Sequence, residues 1–290
     1  MVAPSTSVLE FLESVYRVDH PLRPASLRQL VISLRALDRW HGSRVSLADL
    51  GRDFLNRFLA GQQDRQLAAK TINRQRADIL AIWRAAARRG LIERPIGEDI
   101  RRLKAPRRFP RAWTLDQLAR MIRTAESNQG IYPGGIRIGA YWGLFIRLTY
   151  DTGLRRSDVL ALRVDDVRAG LFEVLQQKTQ CALVCRVGQA TIAALEASIP
   201  PARRLCVAWM FRGERFYQHW RLHVIGPAGL APGRMQGPQK LRRTSATHLE
   251  AAHPGAAMAH LGHLTAGLAY RNYVDPILAN QNRPLPPEIS

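Results

Sequence analysis

Leucines recur at three- and four-residue intervals through Ala25–Gly42, at Leu27, Leu30, Leu34 and Leu37, the period of one buried helical face. Arg28, Arg35 and Arg39 fall mostly off that face and are expected in solvent. A second run begins near Thr71, a candidate N-cap, turns Ile72, Ile79, Ile82, Trp83 and Ala86 to a core, and ends at Gly90 after Arg88 and Arg89. Val8–Val18 and Leu47–Gln62 read as two more helices, so residues 1–104 are expected to form a small helical bundle with a basic outside. The helical period then stops. Ala105-Pro-Arg-Arg-Phe-Pro-Arg-Ala112 has two prolines and three arginines and reads as a linker, leaving 113–290 as a second domain.

In that second domain, Thr114-Leu-Asp-Gln-Leu resembles a helix start, and Tyr141–Tyr150 is an apolar helix running into Asp151-Thr-Gly-Leu154. Leu171–Leu175 and Ala182–Val187 are rich in Val, Leu and Phe and flank a polar turn, the signature of a β-hairpin. Cys181 and Cys185 would lie on one face of the second strand and pack into the core. Helical character returns over Thr191–Ser198, Phe216–Val224, Gln239–Ala252 and Pro254–Leu261, and Pro276–Ser290 reads as a proline-containing tail. The fold class expected is mainly α in two domains, with one small antiparallel sheet.

Charge changes the picture more than composition does. Lysine and arginine total 43 against 23 acidic residues, a formal net charge of +20 spread over both halves of the 290-residue chain. Such a surplus calls for a polyanionic partner, most simply nucleic acid, because each neutralised phosphate releases counterions. With 46% hydrophobic residues, intrinsic disorder is excluded. No run approaches the ~18 consecutive apolar residues of a membrane span, and Glu10 and Glu13 stand where a signal peptide would be basic and then apolar, so a cytoplasmic, nucleoid-associated protein with no membrane partner is expected. Three cysteines suit neither a disulfide framework nor a four-ligand zinc site. Of the 43 cationic residues only Lys70, Lys104, Lys178 and Lys240 are lysines, and a lysine kept among arginines can mark a position where a proton must leave.

Chemistry concentrates in five segments. In Leu148-Thr-Tyr-Asp-Thr-Gly-Leu-Arg-Arg-Ser-Asp-Val-Leu-Ala-Leu-Arg163 a helix ends at Gly153, Ser157 can cap the next, and Arg155 is held at the junction, a placement suited to an anion; the alternative is a helical hairpin with an incidental arginine. Gln176-Gln-Lys-Thr-Gln180 puts Lys178 in the hairpin turn. Gln239-Lys-Leu-Arg-Arg-Thr-Ser-Ala-Thr-His-Leu249 carries Arg242 into an apolar helix, Leu261-Gly-His263 follows, and Tyr270-Arg-Asn-Tyr-Val-Asp-Pro276 supplies two tyrosines.

In this order the segments resemble the tyrosine recombinase (phage integrase) family, and the resemblance covers essentially the whole chain. It implies a SAM-like, DNA-contacting first domain and a catalytic second domain, closing on opposite faces of a duplex. It implies that Arg155 and Arg242 hold the nonbridging phosphate oxygens, that Lys178 protonates the departing 5′-oxygen, that His263 donates to the phosphate or takes a proton, and that Tyr273 is the nucleophile, with Tyr270 as the fallback. Asp158 matches the acidic residue that follows the first arginine. Gln239 is a departure: family members usually carry histidine there, and glutamine can donate a hydrogen bond but cannot shuttle a proton at neutral pH. Lys240 is adjacent but points elsewhere on a helix. Implied partners are double-stranded DNA, further copies of the chain in a tetramer on two paired sites, and accessory DNA-bending or directionality factors. No metal, ATP or other cofactor is implied. Lys70, Arg74, Arg107, Arg108 and Arg111 are candidates for phosphate-backbone contact.

Other readings compete. His219-Trp-Arg-Leu-His223 has the spacing of a metal-binding helix but lacks a glutamate between the histidines and a clear third ligand. Gly130-Ile-Tyr-Pro-Gly-Gly135 has no Lys-Ser/Thr after it and reads as a turn. A noncatalytic DNA-binding protein on the same fold draws on Gln239, a type IB topoisomerase-like enzyme would share the chemistry, and an RNA-binding protein explains the charge but not the ordered motifs.

Overall fold

A computed structural model of the chain describes residues 2–106, 108–133, 135–198, 205–206, 214–231, 233, 236–262 and 265–280. The chain divides into two compact units, 1–107 and 108–290.

The first unit is helical. α1 (Val8–Phe11) continues through a π-type turn (Leu12–Tyr16) into α2 (Arg17–Asp19), followed by α3 (Pro24–His41), α4 (Arg52–Asp64) and α5 (Ala69–Arg88). Leu34, Leu37, Leu55, Phe58, Ile79 and Ile82 are wholly buried, as their period requires. Thr71 is not the N-cap: α5 starts two residues earlier, with Ala68 in the extended N-cap position. The stretch from Leu47 likewise reaches α4 late, because Leu47 and Leu50 are buried in a turn before Gly51 lets the helix begin. Asp78, buried on α5, accepts from Ser33 Oγ at 2.7 Å and pairs with Arg74, which satisfies its charge inside the bundle.

The second unit is built around α7 (Ile138–Thr152), whose residues are buried on nearly every side; this is why Tyr141–Tyr150 reads as apolar without a clean period. α6 (Leu115–Glu126) precedes it, with Thr114 and Gln117 forming a capping box. Between them Ile131–Tyr132 (β1) and Ile136–Arg137 (β2) pair antiparallel, so the expected turn joins two minimal strands. After α7 come α8 (Arg156–Val159), α9 (Val164–Ala169), β3 (Leu171–Leu175), β4 (Ala182–Arg186) and α10 (Gln189–Ser198). The β3–β4 register pairs Phe172 with Cys185 and Val174 with Leu183, turning one face to the core. α11 (Glu214–Trp220) runs on through a π-type turn (Arg221–Ile225), and α12 (Gln239–Ala252), α13 (Ala256–Leu261), α14 (Ala266–Asn272) and α15 (Pro276–Ala279) complete the described chain. Trp142, Phe145, Phe216 and Trp220 meet edge to face in the core, with Trp113 beside Trp220.

Candidate active site

α7 ends at Gly153, whose left-handed backbone (φ +61°) turns the chain so that Leu154 is buried and Arg155 takes the N-cap position of α8. Ser157 therefore lies inside that short helix and does not cap it. The Arg155 guanidinium donates from Nη1 to Gln176 Oε1 at 2.7 Å. Asp158, also buried, accepts the backbone N–H of Gln177 at 3.1 Å and so ties α8 to the start of the β3–β4 turn.

Arg242 comes from the first turn of α12 and has no solvent exposure. Its Nη1 donates to the carbonyl of Gly153 and its Nη2 to that of Leu261 at 2.9 Å. These are carbonyls at the carboxyl ends of α7 and α13, which have no partner within their own helices and present the negative end of each dipole. The guanidinium also lies 5.0 Å from the Tyr273 ring centroid and is hydrogen-bonded to that side chain. Burial and neighbouring Arg155 both push the Arg242 pKa down, with Tyr273 and Asp158 opposing. An arginine nonetheless stays charged. The site therefore brings two cations together, with buried Asp158 as the carboxylate that acts on Arg242 among the described residues, an arrangement that an entering anion relieves.

Around them opens a cleft of about 530 Å³ whose walls include Arg155, Thr179, Gln239, Arg243, Asn272 and Tyr273. Gln239 is exposed there, while Lys240 is buried on the other side of α12, its Nζ 3.1 Å from Gln236 Oε1 and 4.8 Å from the Trp113 ring centroid. Lys178 is exposed in the β3–β4 turn beside Thr179. His263 lies outside the described residues, although its neighbour Gly262 lines the cleft.

No protein-family model matches the chain. Tyrosine recombinase XerC of Xanthomonas axonopodis pv. citri is 32% identical over 143 residues, 49% of this chain and 44% of the relative, so the chain spans about half the length of that relative. Tyrosine recombinase XerC of Mycobacterium tuberculosis (strain H37Ra) is 31% identical over 232 residues, covering 74% of this chain and 76% of the relative. The chain belongs to the tyrosine recombinase family. In fold it is similar to a lambda integrase solved as a dimer bound to a COC′ core site (TM-score 0.71, 18% identity, 98% of this chain and 81% of that one). It is also similar to the Tn1549 transposon integrase solved with circular intermediate DNA (TM-score 0.67, 14% identity, 97% and 100%).

Among tyrosine recombinase positions, the two tyrosines are now distinguished by their surroundings. The Tyr270 hydroxyl donates at 2.8 Å to Glu250, a buried carboxylate that also accepts the N–H groups of Gly255 and Ala257. Tyr270 thus anchors the α12–α13 corner, whereas Tyr273 faces Arg242 and the cleft. Cys181 corrects another expectation: it precedes β4, is half-buried and lines the cleft, while Cys185 does enter the core, its thiol pushed up to about 12 by burial. His219 and His223 stack on each other at 5.4 Å between centroids and meet Tyr132 and Asn128, with burial lowering both pKa values. Of the proposed backbone-binding residues, Lys70 and Arg108 are exposed, Arg74 is paired with Asp78, and Arg111 lies 3.9 Å from Asp275. Arg107 is outside the described residues. Sequence reasoning missed Gln176, wholly buried between the site's elements, and His260, whose Nε2 lies 2.6 Å from Ser245 Oγ and whose pKa falls to about 4 through burial and the charge of Arg242. A glutamine in a polar turn and a histidine one residue before a helix end carry no signal of burial in the sequence.

Proposed function

We propose that the chain is a site-specific DNA recombinase that cuts and rejoins strands through a 3′-phosphotyrosyl intermediate at Tyr273. The observation that carries this reading is that Tyr273, on the wall of the cleft that Arg155 also lines, stacks on Arg242 buried directly behind it. A phenol titrates near ~10 and is a weak nucleophile at neutral pH, so the phosphorus must be made electrophilic by its surroundings. Arg242 and Arg155 supply that by donating to the nonbridging oxygens, most strongly as charge builds on them in the transition state. Tyr273 Oη bonds to phosphorus, the P–O5′ bond breaks, and Lys178 gives its proton to the departing oxygen. His263 takes the tyrosine proton or adds a donor. A 5′-hydroxyl then attacks the phosphotyrosine, returning the tyrosine and sealing a strand; the phosphodiester energy is retained throughout, and no ATP enters. Double-stranded DNA is the partner, engaged as a tetramer on two paired sites, with Lys70, Arg74, Arg107, Arg108 and Arg111 on its backbone.

A second reading, a DNA-binding protein with impaired cleavage, is favoured by Gln239, which lines the cleft where the family usually has a histidine. Both are tested on nicked duplexes drawn from the DNA flanking the gene, by scoring SDS-resistant protein–DNA adducts. Recombinase chemistry predicts an adduct in wild type and Tyr270→Phe, none in Tyr273→Phe at unchanged DNA affinity, and more in Gln239→His. Tight binding without adduct even in Gln239→His would select the second reading.

A further inference from the structure

Gln176 is the first residue after β3 and is completely buried. Its backbone is fixed at both ends: its N–H donates to Cys181 O at 2.9 Å and its carbonyl accepts Gln180 N–H at 2.8 Å. Its side chain joins three elements. Oε1 accepts from Arg155 Nη1 at 2.7 Å and from Thr179 Oγ1 at 2.8 Å, and Nε2 donates to the Leu261 carbonyl at 3.2 Å. That same carbonyl accepts Arg242 Nη2 at 2.9 Å. The amide orientation is dictated by its partners, since a flipped amide would face a guanidinium and a hydroxyl with its own N–H groups and present oxygen to a carbonyl. Glycine at 262 is part of the arrangement: its φ is +62°, and a Cβ there would come within 3.2 Å of Gln176 Nε2.

We propose that Gln176 is a positioning residue for strand cleavage, holding the Arg155 fork in register with Arg242 and tying both to the turn that carries Lys178; this rests on the recombinase reading of the cleft. Two like charges side by side repel, and Arg155, only half-buried, is the one free to swing away. A neutral acceptor restrains it with one of its five N–H donors and leaves the rest, with the full charge, for phosphate. A carboxylate at 176 would also restrain Arg155 but would neutralise it. Thr179, next to Lys178, shares the same acceptor, so the acid's turn and the first arginine are fixed by one atom.

The test compares single-turnover adduct formation by full-length wild type, Gln176→Met and Gln176→Glu on nicked duplexes whose scissile linkage is either a normal phosphodiester or a neutral methylphosphonate, with DNA affinity and thermal midpoint recorded alongside. Misplacing a catalytic group by about 1 Å costs on the order of 100-fold, so Gln176→Met, which releases Arg155, is expected to lose roughly 10- to 100-fold on the phosphodiester, and Gln176→Glu, which holds Arg155 but neutralises it, a similar amount, each with affinity changed less than about threefold. On methylphosphonate, which makes little demand on a guanidinium, the deficit relative to wild type is expected to shrink below about threefold. Gln176→Glu, nearly isosteric, keeps the test informative if Gln176→Met does not fold. Equal losses on both linkages would show a structural role only, and undiminished cleavage of the phosphodiester by both variants would show no role; either overturns the proposal while the recombinase reading stands. Absence of adduct from wild type on either linkage would overturn both.

Discussion

Arg242 is stable in its buried position because two helix ends receive it. The Gly153 and Leu261 carbonyls take its two terminal nitrogens, and Tyr273 covers the rest of the guanidinium. A lysine there would present no planar fork, so Arg242→Lys should abolish adduct formation as fully as alanine while DNA affinity falls only slightly. The two tyrosines separate by the same kind of argument. Tyr270→Phe removes one hydrogen bond to a buried carboxylate and should cost about 1–3 kcal/mol of unfolding free energy, read in denaturant, with cleavage retained. His260 gives a pH dependence. Its folded pKa is depressed to about 4 from 6.5, so its contribution is complete above pH 6.5, where both states are neutral, and is lost as pH falls toward 4, where the unfolded chain takes up the proton. At 1.36 kcal/mol per unit the loss is on the order of 3 kcal/mol. His260→Gln should flatten that part of the thermal midpoint against pH; an unchanged profile would contradict it. His260 was not legible in the sequence because nothing in Ala-His-Leu-Gly indicates that Ser245 faces it from another helix.

Helix boundaries were legible where the stop signals are stereochemical. Gly153 ends α7 with φ +61°, and Gln239–Ala252 is the same span in sequence pattern and structure. Gly153→Ala meets two obstacles, a left-handed φ and direct collision of the new methyl with the His260 ring. It should cost at least about 2 kcal/mol, more than Gly170→Ala, which has φ +75° but only an ordinary contact to Ile192. Equal denaturation midpoints for the two variants would refute this. Where elements begin without a capping side chain, as α5 does at Ala68, polar residues such as Thr71 mislead by a few positions. Two-residue strands like β1 and β2 are too short to show alternation, and Cys181, expected to share the core face with Cys185, stands just before the first β4 pair and lines the cleft instead. The hairpin itself was visible in its Val, Leu and Phe positions, and its register came from the structure.

For the molecule as a whole, the ordered arginine, lysine, arginine and tyrosine motifs were readable because each is a short local pattern, and the two-unit division follows the break in helical period near Pro106 and Pro110. What sequence could not give was the way distant segments share acceptors, as Gln176 and the Leu261 carbonyl do. The net charge of +20 predicts strongly salt-dependent binding to duplex DNA. With about 6–10 phosphates contacted, affinity should fall roughly 10³- to 10⁵-fold between 50 and 200 mM salt, and Lys70→Ala should lower the slope of log affinity against log salt by about 1. An unchanged slope would remove Lys70 from the DNA contact. The central claim is the identity of the nucleophile. The most direct measurement digests the trapped adduct with protease and nuclease and locates the nucleotide by mass spectrometry: the account predicts a nucleotide joined through its 3′-phosphate to Tyr273, and modification of Tyr270, or of any other residue, would contradict it.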